Sequence, residues 1–189
     1  MKQEDLFHGE LVRLVAVEPQ LFAESLNRWA RDSVYLRLMA GDPARMFSTK
    51  KIKEWIEKEL EGNTSDQFMF MIRTLHDDRL IGELELDGVM CFHGDTYVGI
   101  SLGERQDWGK GYGTDAMRVL LRYAFTELNL KRVSLNVFEY NQRAVRSYEK
   151  AGFTYEGCAK EFLNRDGRRW DLIFMGILRE EWVERYRLE

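Results

Sequence analysis

Cysteine, proline and histidine are all scarce in this 189-residue chain, which holds two, two and three of them. His8, His76 and His93 lack metal-ligand spacing, and neither HExxH nor CxxC occurs, so no metal site is predicted. Cys91 and Cys158 stand far apart, which fits a reduced cytosolic protein and leaves a disulfide open. With few prolines and no low-complexity linker, nothing marks a domain boundary, and residues 1–189 read as one domain. The start "MKQEDLFHGELVRL" has no apolar h-region, and no apolar run reaches the roughly 18 residues of a membrane span. A cytoplasmic location is therefore expected. The net charge of -4 lacks the basic excess typical of nucleic-acid binders.

What is present is an ordinary core-forming composition, 44% hydrophobic, arranged in alternating helical and strand periods. "GELVRLVAV" (9–17) reads as a first strand. Residues 18–32 read as a helix with Leu21, Phe22, Leu26 and Trp29 near one face. Residues 48–62 read as a second helix, with Ser48 as N-cap, Ile52, Trp55, Ile56 and Leu60 as its stripe, and Gly62 at its end. "QFMFMIRTL" and "RLIGELEL" read as strands joined at "HDD", and "TYVGISLG" (96–103) as another. A helix over 114–129, a strand over 132–140 and a short helix over 141–152 follow. Asn141 caps that last helix and Gly152 closes it. Residues 157–178 read as two strands turning at "NRDG". The charge-rich end "REEWVERYRLE" reads as a solvated helix or tail.

Between the strand over 96–103 and the helix over 114–129 lies "QDWGKGYGTDAM" (106–117). A glycine loop running into a helix N-terminus is suited to anionic phosphates, because free N–H groups and the positive helix end face the ligand. A Walker loop is excluded, since Lys110 precedes Gly111 and Gly103 is out of register. A dinucleotide fingerprint fails as well: Gly109, Gly111 and Gly113 give GxGxG, and the loop follows several strands.

"QDWGKG" does match Q/R-x-x-G-x-G/A, and "NQRAVRSYEKAGF" (141–153) matches N-x-x-A-x-x-x-Y-x-x-x-G-F. With these two motifs in this order, the chain resembles the GNAT family of N-acetyltransferases. Within that family it is similar to the ribosomal-protein alanine and spermidine acetyltransferases. The likeness runs from "LVRLVAVEPQ" to "DLIFMGILREEW". It implies a mixed α/β (α+β) fold, the GNAT acyl-CoA N-acyltransferase fold, with about seven strands in a twisted sheet flanked by about four helices. Two departures stand out. Tyr97 occupies about the place where many relatives carry a glutamate, and Thr114-Asp115-Ala116 replaces a frequent Thr-Glu-Ala.

The resemblance implies acetyl-CoA as donor and direct transfer to a primary amine in a ternary complex. Backbone N–H groups from Trp108 through Gly109, Lys110, Gly111, Tyr112 and Gly113 to Thr114 would hold the pyrophosphate. Side chains of Gln106, Lys110 and Thr114 could add donors. Pantetheine would pair with the backbone of Ile100, Ser101, Leu102 and Gly103, with Asn141 and Ala144 on the facing helix. Asn141 and Tyr148 are seven residues apart, so they share a helix face about 10 Å apart. Tyr148 is the candidate proton donor to the leaving sulfur. Glu83 or Glu85 could be the base, directly or through water; their strand face could equally be a solvated one. Trp29 and Tyr35 are candidate acceptor contacts, with Asp32, Met39, Phe47, Phe162 and Trp170 as further members. Most of these aromatic residues fit a core role as well, and Asp107 and Glu104 read as loop surface. The acceptor is left open among a protein N-terminus, a polyamine and a small amine. A homodimer is possible. The alternative from another class is a non-catalytic acyl-CoA sensor that keeps the loop and lacks a base.

Overall fold

The computed structural model describes residues 5–62, 66–90 and 92–186; Cys91 lies outside them. The chain begins with β1 (Val12–Val15), α1 (Pro19–Trp29), α2 (Ser33–Met39) and α3 (Thr49–Glu61). A meander follows: β2 (Phe68–Thr74), β3 (Leu80–Met90) and β4 (Asp95–Leu102). The remainder is α4 (Tyr112–Arg122), β5 (Arg132–Phe138), α5 (Gln142–Ala151), β6 (Thr154–Arg165), β7 (Arg168–Leu178) and α6 (Arg179–Tyr186).

The strands form one sheet in the order β1-β2-β3-β4-β5-β7-β6. Each neighbouring pair is antiparallel except β4 and β5, which the glycine loop and α4 connect as a parallel crossover. Helices cover both faces. Met71 and Ile72, adjacent on β2, point to opposite faces and join different apolar clusters. Met71 packs with Phe22, Trp29, Tyr35, Ile52 and Ile56 under α1, α2 and α3. Ile72 belongs to the larger cluster on the other face, which includes Met117, Leu120 and Leu121 of α4, Ala151 of α5 and Trp182 of α6.

Several details differ from the sequence expectation: six helices form among the described residues where about four were expected, and the first strand, read over 9–17, is confined to Val12–Val15. The helix over 18–32 ends at Trp29, and Asp32 starts α2 by accepting a hydrogen bond from the Val34 N–H. α4 begins two residues early, and its last turn widens into a π-turn over Tyr123–Glu127, where the Leu128 N–H reaches the Tyr123 carbonyl. The C-terminal segment is anchored, because Trp182 is buried against Phe125. A bulge opposite Ile72 and Arg73 exchanges the faces of Leu80 and Ile81. Ile81 therefore joins the cluster of Leu84 and Leu86, while Leu80 joins the other.

The parallel pairing of β4 and β5 extends only over Asp95–Tyr97 and Arg132–Ser134. Beyond it the two strands diverge, and β4 continues to Leu102 with β3 as its sole neighbour. The opening between them passes through the sheet from the α4 and α5 face to the α2 face. Gly103 ends β4 in close contact with α1: a Cβ there would stand 2.0 Å from the ring of Trp29, which is 2% exposed. Gly103→Ala is expected to lose about 2–3 kcal/mol, because the added methyl overlaps a buried ring that must shift within the core. The check is a lower denaturant midpoint at unchanged m-value; a wild-type midpoint would disprove the close fit.

Candidate active site

A cleft of about 780 Å³ occupies the divergence of β4 and β5. One wall is the glycine loop with the starts of α4 and α5. Gly109 and Gly111 have φ of 75° and 93°, left-handed values that favour glycine. Gly111 sits at the N-cap of α4 and supplies no side-chain cap, so the first-turn N–H groups have no intrahelical partner. The Asp115 carboxylate instead binds the turn that leads into β1: it accepts from the N–H groups of Glu10, Leu11 and Val12 at 3.1, 2.7 and 3.0 Å.

Several expected loop donors already have partners. The Thr114 hydroxyl lies 2.8 Å from the Ser147 hydroxyl, tying α4 to α5. The Trp108 backbone N–H, expected to face the pyrophosphate, donates instead to the Arg105 carbonyl at 3.1 Å; its indole donates to the Leu102 carbonyl at 2.8 Å, and the Arg143 guanidinium stacks 3.6 Å from its ring centroid. Gln106 and Lys110 are exposed and outside the lining. Gly103 is also outside it, with its N–H donating to the Ile81 carbonyl at 2.9 Å, so the open edge of β4 runs from Val98 to Leu102. Asp107, expected on the loop surface, is 1% exposed and pairs with Arg79 at 3.1 Å. Asn141 caps α5 through its Oδ1, which accepts from the Ala144 N–H. Its NH2 group is the end left for a ligand.

Tyr148 and Ala144 line the cleft on α5. Tyr148 is half-buried, with its ring edge-on to Phe153. Burial pushes its phenol up to about 12, against the opposing charge of Arg143. Arg143, Arg146 and Lys150 lie along one face of α5 at i, i+3 and i+7, and Arg118 of α4 joins them in the lining. Among the described residues none of these four cations is ion-paired. Their spacing is visible in "NQRAVRSYEK", yet nothing in the sequence distinguished them from solvated helix charges.

The opposite wall is acidic. Past the bulge, Glu83, Glu85 and Asp87 share the α2-side face of β3 and line the cleft. Glu83 is 9% exposed and Glu85 half-buried, whereas Asp87 is exposed, so the face is withdrawn from solvent at its Glu83 end and solvated at Asp87. Its cross-strand partner is Ser101, which hydrogen-bonds to it; the Ser101 hydroxyl lies 3.2 Å from that of the buried Tyr35. Burial, and then the charge of Glu85, push the Glu83 carboxyl up to about 7 against that Ser101 bond. Burial and then Asp87 raise Glu85 as well. Gly99 faces Glu85 across the strands, where a Cβ would stand 3.2 Å from its Oε1. Tyr97, opposite Asp87, completes the wall half-exposed.

Of the expected acceptor residues, Tyr35 and Met39 line this wall. Trp29 does not: it is core, packed on Gly103. Phe47 and Phe162 are exposed outside the lining, and Trp170 packs against Tyr140 beside a second cavity. Among the described residues no group of three or more His, Cys, Asp or Glu could hold a metal, and no helix is long and apolar enough to cross a membrane.

Comparison with known proteins agrees with this architecture. Residues 12–154 match the family model described as acetyltransferase (GNAT) domain. The chain is 36% identical over 130 residues to a probable N-acetyltransferase, YjcK, of Bacillus subtilis, covering 68% of this chain and 70% of that one. It is 30% identical over 138 residues to a spermidine N(1)-acetyltransferase of Vibrio cholerae, covering 73% and 78%. It is 27% identical to the ribosomal protein uS5 alanine N-acetyltransferase of Escherichia coli, covering 61% and 60%. A crystal structure of the spermidine N-acetyltransferase from Vibrio cholerae in complex with CoA and spermine superposes with a TM-score of 0.79 at 25% identity, covering 91% of this chain and 98% of that one.

Proposed function

Because the chain belongs to the GNAT acetyltransferase family and is an N-acetyltransferase, we propose that it transfers an acetyl group directly from acetyl-CoA to a primary amine carrying a further positive charge. The observation that carries this reading is the opposed charge of the two walls. Arg118, Arg143, Arg146 and Lys150, without an ion-pair partner among the described residues, border the glycine loop, where a polyanionic CoA would lie; Glu83, Glu85 and Asp87 stand on the other side of the opened sheet. Donor and acceptor would thus enter from opposite faces and meet between β4 and β5.

In this scheme the first-turn N–H groups of α4 bind the pyrophosphate, with the loop backbone around Gly109 and Gly111. The open edge of β4 takes pantetheine and polarises the thioester carbonyl. Glu83 accepts the ammonium proton, and the neutral nitrogen attacks the carbonyl carbon. The C–S bond breaks as Tyr148 hydrogen-bonds to the sulfur, and the second nitrogen proton ends on the thiol. One amide, one CoA thiol and one released proton result. The row from Glu83 to Asp87 is about 13 Å long, enough to place a second ammonium well away from the reacting one. A polyamine meets that description, as does a small amine or a protein N-terminus with a nearby basic group.

The test combines calorimetric titration with acetyl-CoA and a thiol-release assay over an amine panel. Tight donor binding is expected, with kcat/KM about 10-fold or more higher for polyamines than for monoamines and a difference that shrinks with salt. Equal turnover of mono- and polyamines would remove the charge requirement. Donor binding without turnover of any amine would favour a non-catalytic acyl-CoA sensor.

A further inference from the structure

α2 has seven residues, too few to hold a helix without tertiary help. Side chains from elsewhere hold both ends. At its start, Arg105 donates to the capping Asp32 carboxylate at 2.5 and 2.6 Å. At its end, Arg165 of β6 donates to the carbonyl of Arg37, to the Tyr140 hydroxyl at 2.5 Å and to the Ala40 carbonyl at 3.0 Å; the Gly41 and Asp42 carbonyls lie at 3.4 Å. The Tyr140 hydroxyl donates to the same Arg37 carbonyl at 2.5 Å. One guanidinium fork thus satisfies carbonyls that a helix end leaves open. Arg165 stands outside the cleft, beside a smaller cavity of about 290 Å³. α2 separates the two spaces, and Leu38 faces both. From its cleft side α2 presents Met39 and Tyr35, and Tyr35 meets Ser101 beside Glu83.

We infer that Arg165 is a positioning residue for the amine acceptor, seating α2 so that Tyr35 and Met39 form the acceptor wall. The inference rests on the acetyl-transfer reading for its kinetic test. Arg165→Ala is expected to raise the KM for the amine about 10-fold or more while the acetyl-CoA Kd stays within about twofold. Arg165→Lys keeps the charge but not the fork, and is expected to fall between. Should the alanine variant fail to fold, Arg165→Lys and Tyr140→Phe carry the same comparison. An unchanged amine KM in folded variants, or an acetyl-CoA Kd that rises in step, would overturn the inference.

A second measurement needs no turnover: carbon-13 NMR titration of the Glu83 carboxyl. The groups around it are Glu85 and Asp87 on its own strand, Ser101 of β4 and Tyr35 of α2. Loosening α2 admits water, so its midpoint is expected to fall in Arg165→Ala. An unmoved midpoint counts against the positioning role. A moved midpoint in a protein that acetylates no amine would refute the proposed function, and with it the acceptor role, and leave standing only that Arg165 seats α2 over Glu83.

Discussion

Glu83→Gln is expected to give a more stable protein that turns over about 100-fold or more slowly. The loss follows from the proposed base role, for which contributions of about 10²–10⁴ are usual. The gain in stability follows from burial. The carboxyl has an ordinary value of 4.5 and is raised to about 7, by desolvation first and the Glu85 charge second. A raised carboxyl holds its proton more tightly folded than unfolded. Between about pH 4.5 and 7 the native state therefore binds more protons, and stability falls as pH rises through that window. The loss amounts to about 3 kcal/mol above pH 7. The glutamine variant has no charge to bury, so its unfolding free energy should exceed wild type by that order at pH 8 and match it near pH 4. Its pH–rate profile should also lack the acidic limb that is expected of wild type near neutrality. Equal stability at both pH values would show that Glu83 is solvated. An unchanged rate with an intact limb would assign the base elsewhere, with Glu85 the next group along the wall.

Tyr148→Phe is expected to lower kcat by about 100-fold while acetyl-CoA affinity changes by less than about threefold. Phenylalanine keeps the edge-on contact with Phe153, so the change isolates the hydroxyl. Burial holds the phenol at about 12, and Tyr148 keeps its proton over the whole working range. Full transfer to a thiolate whose acid has a pKa near 8.5 would run about 3–4 units uphill, roughly 5 kcal/mol. The role that fits is a hydrogen bond to the departing sulfur, with the sulfur's proton coming from the nitrogen. The variant should therefore lose rate at every pH without losing a limb of the profile. Unchanged kcat would remove Tyr148 from the mechanism.

Local chemistry in the sequence determined much of this protein. The alternating strands, the Asp166-Gly167 turn, the Asn141 cap and the glycine loop each depend on residues within a few positions of one another. For that reason Tyr148, Asn141 and the loop at Gly109 and Gly111, which line one cleft, are legible in the sequence as one side of the candidate site. Tertiary structure alone decided the rest. Trp29 and Tyr35 both read as aromatics on the acceptor side, but contact with Gly103 makes the first core, while Ser101 draws the second to the cleft. Asp107 carries no local sign of burial; Arg79, 28 positions away, supplies its partner. The acidic wall depends on how far β4 leaves β5 and on a bulge that resets which side chains of β3 face α2. Burial, a neighbour's charge and the seating of a two-turn helix are sums over residues distant in the chain, and only folding brings those residues together.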